Sequence, residues 1–195
     1  RGPNYVGIQK PDIVAPGTTV FSSDSSFVSA SDGTSNAAAY VAGVAALVYE
    51  YFEKGFYPTG QQNENNKFEP QADLVRALIV ASADPLNEGS RTPDSLSGHG
   101  LVNIANVITF GPNMKVFNNI RAGSDQHFFL RFKIPYDQIR KEKVDLRIGC
   151  AYKDPSSTNN YLALQTNIDM YLVLPNGTAV HGNHRPEDME ERFST

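Results

Sequence analysis

A single cysteine, Cys150, is all the thiol this sequence carries, which excludes an internal disulfide framework and any zinc site built on cysteines. Its neighbours Ile148 and Ala151 make a buried structural thiol the better reading. Long apolar runs are lacking as well. The longest, Ala37 to Tyr49, has 13 residues and is interrupted by Gly43, short of the ~20 needed to span a bilayer; it reads as a buried core helix. Basic clusters are missing too, the mixed stretch Arg140 to Lys143 being the densest. With a net charge of -4, nucleic acid is not the expected partner. The opening Arg1-Gly2-Pro3-Asn4 has no initiator methionine and no signal-peptide pattern, so a piece of a longer protein is expected.

What is present is an ordinary globular composition of 195 residues, 40% of them hydrophobic, enough for one ordinary core or two small ones. Residues 1 to 35 are rich in Gly, Pro and Ser, with β-branched pieces at Ile13-Val14 and Thr18 to Phe21 that predict short strands between turns. Val41, Val44, Val48 and Phe52 recur at helical spacing and predict a helix from about Ser35 to Glu53. Alanines fill its other faces, so it should be buried on most sides. Thr59 to Pro70 predicts an exposed loop, and Leu74, Leu78 and Ala81 predict a second, amphipathic helix from Ala72 to about Ser82.

From Met114 onward the pattern changes to period two, as in Phe128 to Phe132 and Ile168 to Leu174, which predicts a β-sandwich. The boundary falls near Gly111-Pro112, giving domains at 1–111 and 112–195. Asn176-Gly177-Thr178 is an N-glycosylation sequon, yet Asn-Gly after Pro175 at a strand end is also an ideal tight turn. The turn is the favoured reading, and both hold together in a secretory protein. His181 and His184 lack a third ligand and read as a surface loop, and Pro186 to Glu191 reads as a solvated acidic tail.

The stretch GTSNAAAYVAG, Gly33 to Gly43, sets Ser35 at the mouth of the first helix. Acyl transfer by serine needs an exposed hydroxyl, a base, and N–H groups aimed at the developing oxyanion. A helix N-terminus supplies free N–H groups and a favourable dipole. On local sequence alone, however, Ser35 or Thr34 serves equally as a helix cap.

GTSNAAAYVAG resembles GTSMATPHVAG, the nucleophile signature of the subtilisin-like serine proteases. Arg1-Gly2-Pro3 and Lys10 to Gly17 (KPDIVAPG) are similar to a family segment that precedes it, and Ser97 to Asn103 (SGHGLVN) resembles the close of the catalytic domain. Further on, Tyr152-Lys153-Asp154, Thr166 to Met170 and Pro175-Asn176-Gly177 resemble the larger subtilases with a C-terminal jelly-roll. The resemblance implies an α/β fold, part of the three-layer subtilisin-like domain, followed by an all-β jelly-roll. It implies a serine endopeptidase acting on protein or peptide substrates, with Ser35 as nucleophile, in a secreted or secretory-pathway protein.

The family orders its triad Asp, His, Ser, whereas His99, His127, His181 and His184 all follow Ser35, and Asp12, Asp24 and Asp32 match no catalytic block. The base, the acid and the oxyanion asparagine are thus expected from an N-terminal half lying before Arg1, and the 195 residues alone should be inactive. Asn36 to Tyr40 depart from the family's Met-Ala-Thr-Pro-His, which bears on the wall of the substrate site. No cofactor is needed for the chemistry. Asp154, Asn167, Asp169 and Asn183 supply oxygens for a structural calcium, although their spacing fits no EF-hand-like loop. The rival readings are an inactive paralogue used as a binding or processing module, and a standalone β-sandwich binding domain.

Overall fold

The computed structural model describes residues 1–5, 7–24, 27–87, 92–108, 114–123, 126–133, 146–154, 166, 168–182 and 190–193. Chain order brings first an antiparallel hairpin of β1 (Val20–Asp24) and β2 (Phe27–Ser31), in register from Val20 opposite Ser31 to Asp24 opposite Phe27. Helix α1 (Thr34–Glu53) follows directly, and α2 (Ala72–Ser82) comes after a connection containing a 3₁₀ turn at Glu64–Asn66. Then come β3 (Ile148–Ala151), β4 (Tyr171–Val173), β5 (Ala179–His181) and β6 (Glu190–Phe193), paired as β3–β6 and β4–β5, both antiparallel.

The core lies where α1 meets α2. Val44, Val48, Tyr51 and Phe52 pack with Leu74, Leu78 and Ile79 and with Val102 and Val107. Phe52 is fully buried, its ring 5.0 Å from that of Phe68 and 5.7 Å from that of Tyr57. The Thr59 to Pro70 segment is therefore a loop pinned into the core at Phe68 and Pro70 rather than exposed throughout. Helix α2 falls on the residues its periodicity predicts. Its entry is held by Asn118, whose side-chain oxygen accepts from the Gln71 N–H at 3.0 Å.

Helix α1 departs from expectation on its outer side. Ala42, Gly43 and Ala46 are exposed, and so are Tyr40, at 52%, and Leu47, at 58%. The buried stripe from Val44 to Phe52, flanked by half-buried Val41 and Ala45, faces the core; α2 covers that side of the helix, and no described residue covers the outer one.

The strand-rich region is joined to the helices across the expected boundary, although Gly111 and Pro112 themselves lie outside the described residues. The Val116 N–H donates to the Tyr57 hydroxyl oxygen at 3.3 Å, and β3 lies against α2. The Arg147 guanidinium donates to the Ser82 and Ala83 carbonyls at 3.3 and 3.0 Å, and to Asp84 Oδ1 at 2.7 Å. A cation there answers both the unpaired carbonyls and the negative end of the α2 dipole. Burial alone would raise the Asp84 pKa, but bonds from Asn103, Arg147 and Asn106 and the Arg147 charge outweigh it, holding the carboxyl below its ordinary value.

A depressed carboxyl contributes stability that is present above its unfolded pKa and is lost as pH falls through the folded value. Arg147→Ala is expected to destabilise by about 1–3 kcal/mol, discounted for the exposure of Asp84. It should also flatten the loss of melting temperature below about pH 4, near the ordinary carboxylate pKa. Melting curves of both proteins at a series of pH values check this; parallel curves would remove Arg147 as the cause.

The fold is a partial α/β arrangement of two helices and a few antiparallel strands. Among the described residues, parallel pairing is limited to a bridge between Val14 and Leu101, and the strands after residue 111 form two separate two-stranded ladders. A jelly-roll takes eight strands in two sheets, and the described residues after 111 hold four strands, β3 to β6. Phe128 to Phe132, predicted as a strand, is exposed and joins no ladder among the described residues. Glu190 and Glu191, placed by sequence in a solvated tail, belong to β6. Cys150 is half-buried on β3 rather than fully buried. No helix among the described residues is long and apolar enough to cross a membrane.

Candidate active site

The three sequence blocks that surround Ser35 in the chain converge in space. The Val14 N–H donates to the Gly100 carbonyl at 2.9 Å, and the Val102 N–H donates back to the Val14 carbonyl at 3.0 Å. The His99 N–H donates to the Asp12 carbonyl at 2.8 Å. Lys10 to Gly17 and Ser97 to Asn103 are thus laid side by side. Gly100, with φ 116°, lies where a Cβ would strike the Asp84 carbonyl oxygen, so only glycine fits.

Gly17 ends the first block against the start of α1. The Gly33 N–H donates to the Gly17 carbonyl at 2.8 Å, and a Cβ on Gly17 would come 2.7 Å from the Gly33 carbonyl oxygen. This contact sets the direction in which α1 begins. The Asn36 side chain adds a second tie, donating to the Ser31 carbonyl at 3.1 Å and to the Ser31 hydroxyl at 3.0 Å. Asn36 therefore fastens the helix to the end of β2.

Ser35 is the second residue of α1 and is exposed. Gly33 occupies the capping position, and no side chain caps the helix. The cap reading thus fails for both Thr34 and Ser35. The reason is geometric: a capping side chain must belong to the residue before the first helical turn, and both residues are already inside it. Among the described residues nothing hydrogen-bonds to the Ser35 hydroxyl or to its N–H. A free hydroxyl therefore stands beside free N–H groups at the positive end of a 20-residue helix.

No described histidine hydrogen-bonds to Ser35. His99 is buried at 2% exposure, His181 stands against Tyr171 with ring centroids 4.5 Å apart, and His184 lies outside the described residues. Asp12 pairs with Lys10 at 2.6 Å and Arg76 at 3.7 Å, and Asp32 accepts from the Thr19 N–H. Neither carboxylate is turned to catalysis by these contacts. A shallow cleft of about 270 Å³ between α1 and α2 is lined by Asp12, Ile13, Val41, Ala45, Arg76 and neighbours, but not by Ser35. Of the oxygen ligands proposed for calcium, Asn167 and Asn183 lie outside the described residues. Among those described, no group of three or more His, Cys, Asp or Glu could hold a metal ion.

Two features escaped the sequence: the Gly17–Gly33 contact and the polar cluster of Asp84, Asn103, Asn106 and Arg147. The Pro-Gly end of the first block was a signal for the former. The latter joins residues up to 63 positions apart and left no local trace.

Comparison with known proteins agrees with these blocks. The family model for the subtilase family matches residues 1–100. The serine protease/ABC transporter B family protein tagA of Dictyostelium discoideum is 32% identical over 88% of this chain and 11% of its own length. Protein tagD of the same name and organism is 33% identical over 45% of this chain and 6% of its own. Pyrolysin of Pyrococcus furiosus is 32% identical over 53% of this chain and 7% of its own. The chain thus spans about a tenth or less of the length of these relatives. No solved structure matches it significantly.

Proposed function

The chain belongs to the subtilase family, and from that premise we propose that it is the nucleophile-bearing part of a serine endopeptidase in which Ser35 forms the acyl-enzyme. The observation that carries this reading is the exposed Ser35 hydroxyl in the first turn of α1, unengaged among the described residues. Its Oγ attacks the scissile carbonyl while its own N–H is one donor to the oxyanion. The tetrahedral species collapses to an ester on Ser35, the amine leaves, and water releases the acid.

The proton acceptor for Ser35, the acid that orients it and the second oxyanion donor come, in this reading, from residues outside these 195. The uncovered side of α1, with Tyr40 and Leu47 exposed, supports such a complement. Substrates are proteins or peptides, the setting is the secretory pathway or the cell exterior, and a jelly-roll built around β3 to β6 steadies the protease. Calcium, if held, has a structural part only.

A fluorophosphonate probe tests the assignment, because it reacts with a serine only when a base activates it. Ser35 should be labelled in the full-length protein and essentially unlabelled in the 195-residue chain. Equal labelling rates in the two would refute the need for an outside base. Absence of labelling in both favours the inactive paralogue, a reading motivated by the departure of Asn36 to Tyr40 from the family signature.

A further inference from the structure

We propose that Asn176 is an acceptor for an N-linked oligosaccharide, its side-chain nitrogen carrying the glycan at the tip of the β4–β5 hairpin. Asn176-Gly177-Thr178 is the one Asn-X-Ser/Thr triplet in the sequence, and an acceptor of this kind has to lie on an accessible loop. By sequence, the sequon competes with a tight turn. In the structure the two use different atoms and coexist.

The turn is closed by the backbone and by one oxygen. The Leu174 N–H donates to the Thr178 carbonyl and the Gly177 N–H to the Leu174 carbonyl, each at 2.9 Å. Asn176 Oδ1 accepts from the Thr178 N–H, also at 2.9 Å. Gly177 takes φ 84°, with no atom within 4 Å of the place a Cβ would fill, so the tip is open on the side of the central residue. Asn176 is exposed, and its Nδ2 donates to no described residue. Turn formation thus fixes the side chain through Oδ1 and leaves the nitrogen that would be modified facing solvent. Above the tip the hairpin is anchored by the pairing of Leu172, which is buried, with Val180, so the acceptor is presented from an ordered base.

In the transfer step the Nδ2 of Asn176 forms a bond to C1 of a sugar carried by a lipid-diphosphate-linked oligosaccharide. The bond from C1 to the phosphate oxygen breaks with its electron pair, the lipid diphosphate leaves, and the nitrogen gives up one proton. Oδ1 stays an acceptor, so the turn survives modification. The inference rests on the secretory setting proposed above, since the donor is met only there.

Peptide mapping of the full-length protein from its own cells, with and without peptide-N-glycosidase, tests it. A second arm directs the full-length protein into the secretory lumen of a eukaryotic host with an added leader. A glycan on Asn176, removed by the enzyme with conversion of the asparagine to aspartate, is the expected result. Thr178→Ala should abolish it while keeping the N–H that holds Oδ1, and Thr178→Ser should retain it. An unmodified Asn176 in both arms overturns the inference and leaves the secretory setting untouched. Modification in the second arm alone overturns the secretory setting, and with it the glycan on the native protein.

Discussion

Ser35→Ala in the full-length protein is expected to lower kcat on peptide substrates by about 10⁶-fold, the loss seen when a subtilisin-type triad loses its serine. The effect should fall on kcat with little change in KM, because the hydroxyl acts on the reacting carbon and not on the rest of the substrate. Folding should be untouched. Ser35 is exposed and caps nothing, since Gly33 holds the capping position without a side-chain bond, and surface replacements of this kind stay within about 0.5 kcal/mol. Steady-state kinetics paired with a melting curve separate the two effects. A variant that retains more than a small fraction of wild-type turnover while melting normally would remove Ser35 from the chemistry. A variant that loses activity together with its melting transition would point to a structural part for the residue.

Phe52→Ala should produce the largest loss of stability, about 3–5 kcal/mol. Phe52 is fully buried and touches the rings of Tyr51, Tyr57 and Phe68, which come from α1, from the turn that follows it and from the connection to α2. Removing the ring opens a cavity that the edge-on and tilted neighbours cannot collapse into, because each is held by its own packing. The Phe68 N–H also donates to the Phe52 carbonyl at 3.4 Å, so the connection is tethered to the same turn of helix. Urea unfolding of the full-length protein measures the change. A loss below about 1 kcal/mol, the usual size for an unremarkable substitution, would mean that this cluster does not hold the two helices together.

Helix α2 was legible residue by residue, because its stripe of Leu74, Leu78 and Ala81 has only one periodicity and Asp84-Pro85 stops it. The hairpin tip was legible for the same reason: Pro175-Asn176-Gly177 carries its turn chemistry in adjacent residues. The core stripe of α1 was equally plain. Its outer face was not, since alanines and a glycine on every side do not say which side finds a partner. The tie made by Asn36 was not legible either, because its partner Ser31 is supplied by the preceding strand, and proximity to Ser35 in sequence says nothing about where its amide points.

By itself the sequence determined the helices, the hairpin turn, the family and the identity of the candidate nucleophile, all of which are written in residues close together in the chain. Only the tertiary structure decided that Ser35 is no cap, that Gly17 meets Gly33, that Arg147 closes the end of α2, and that Asn176 spends its oxygen and not its nitrogen on the turn. Each depends on which atoms meet across long separations or on one side chain's choice between two bonding atoms, and a residue type records neither.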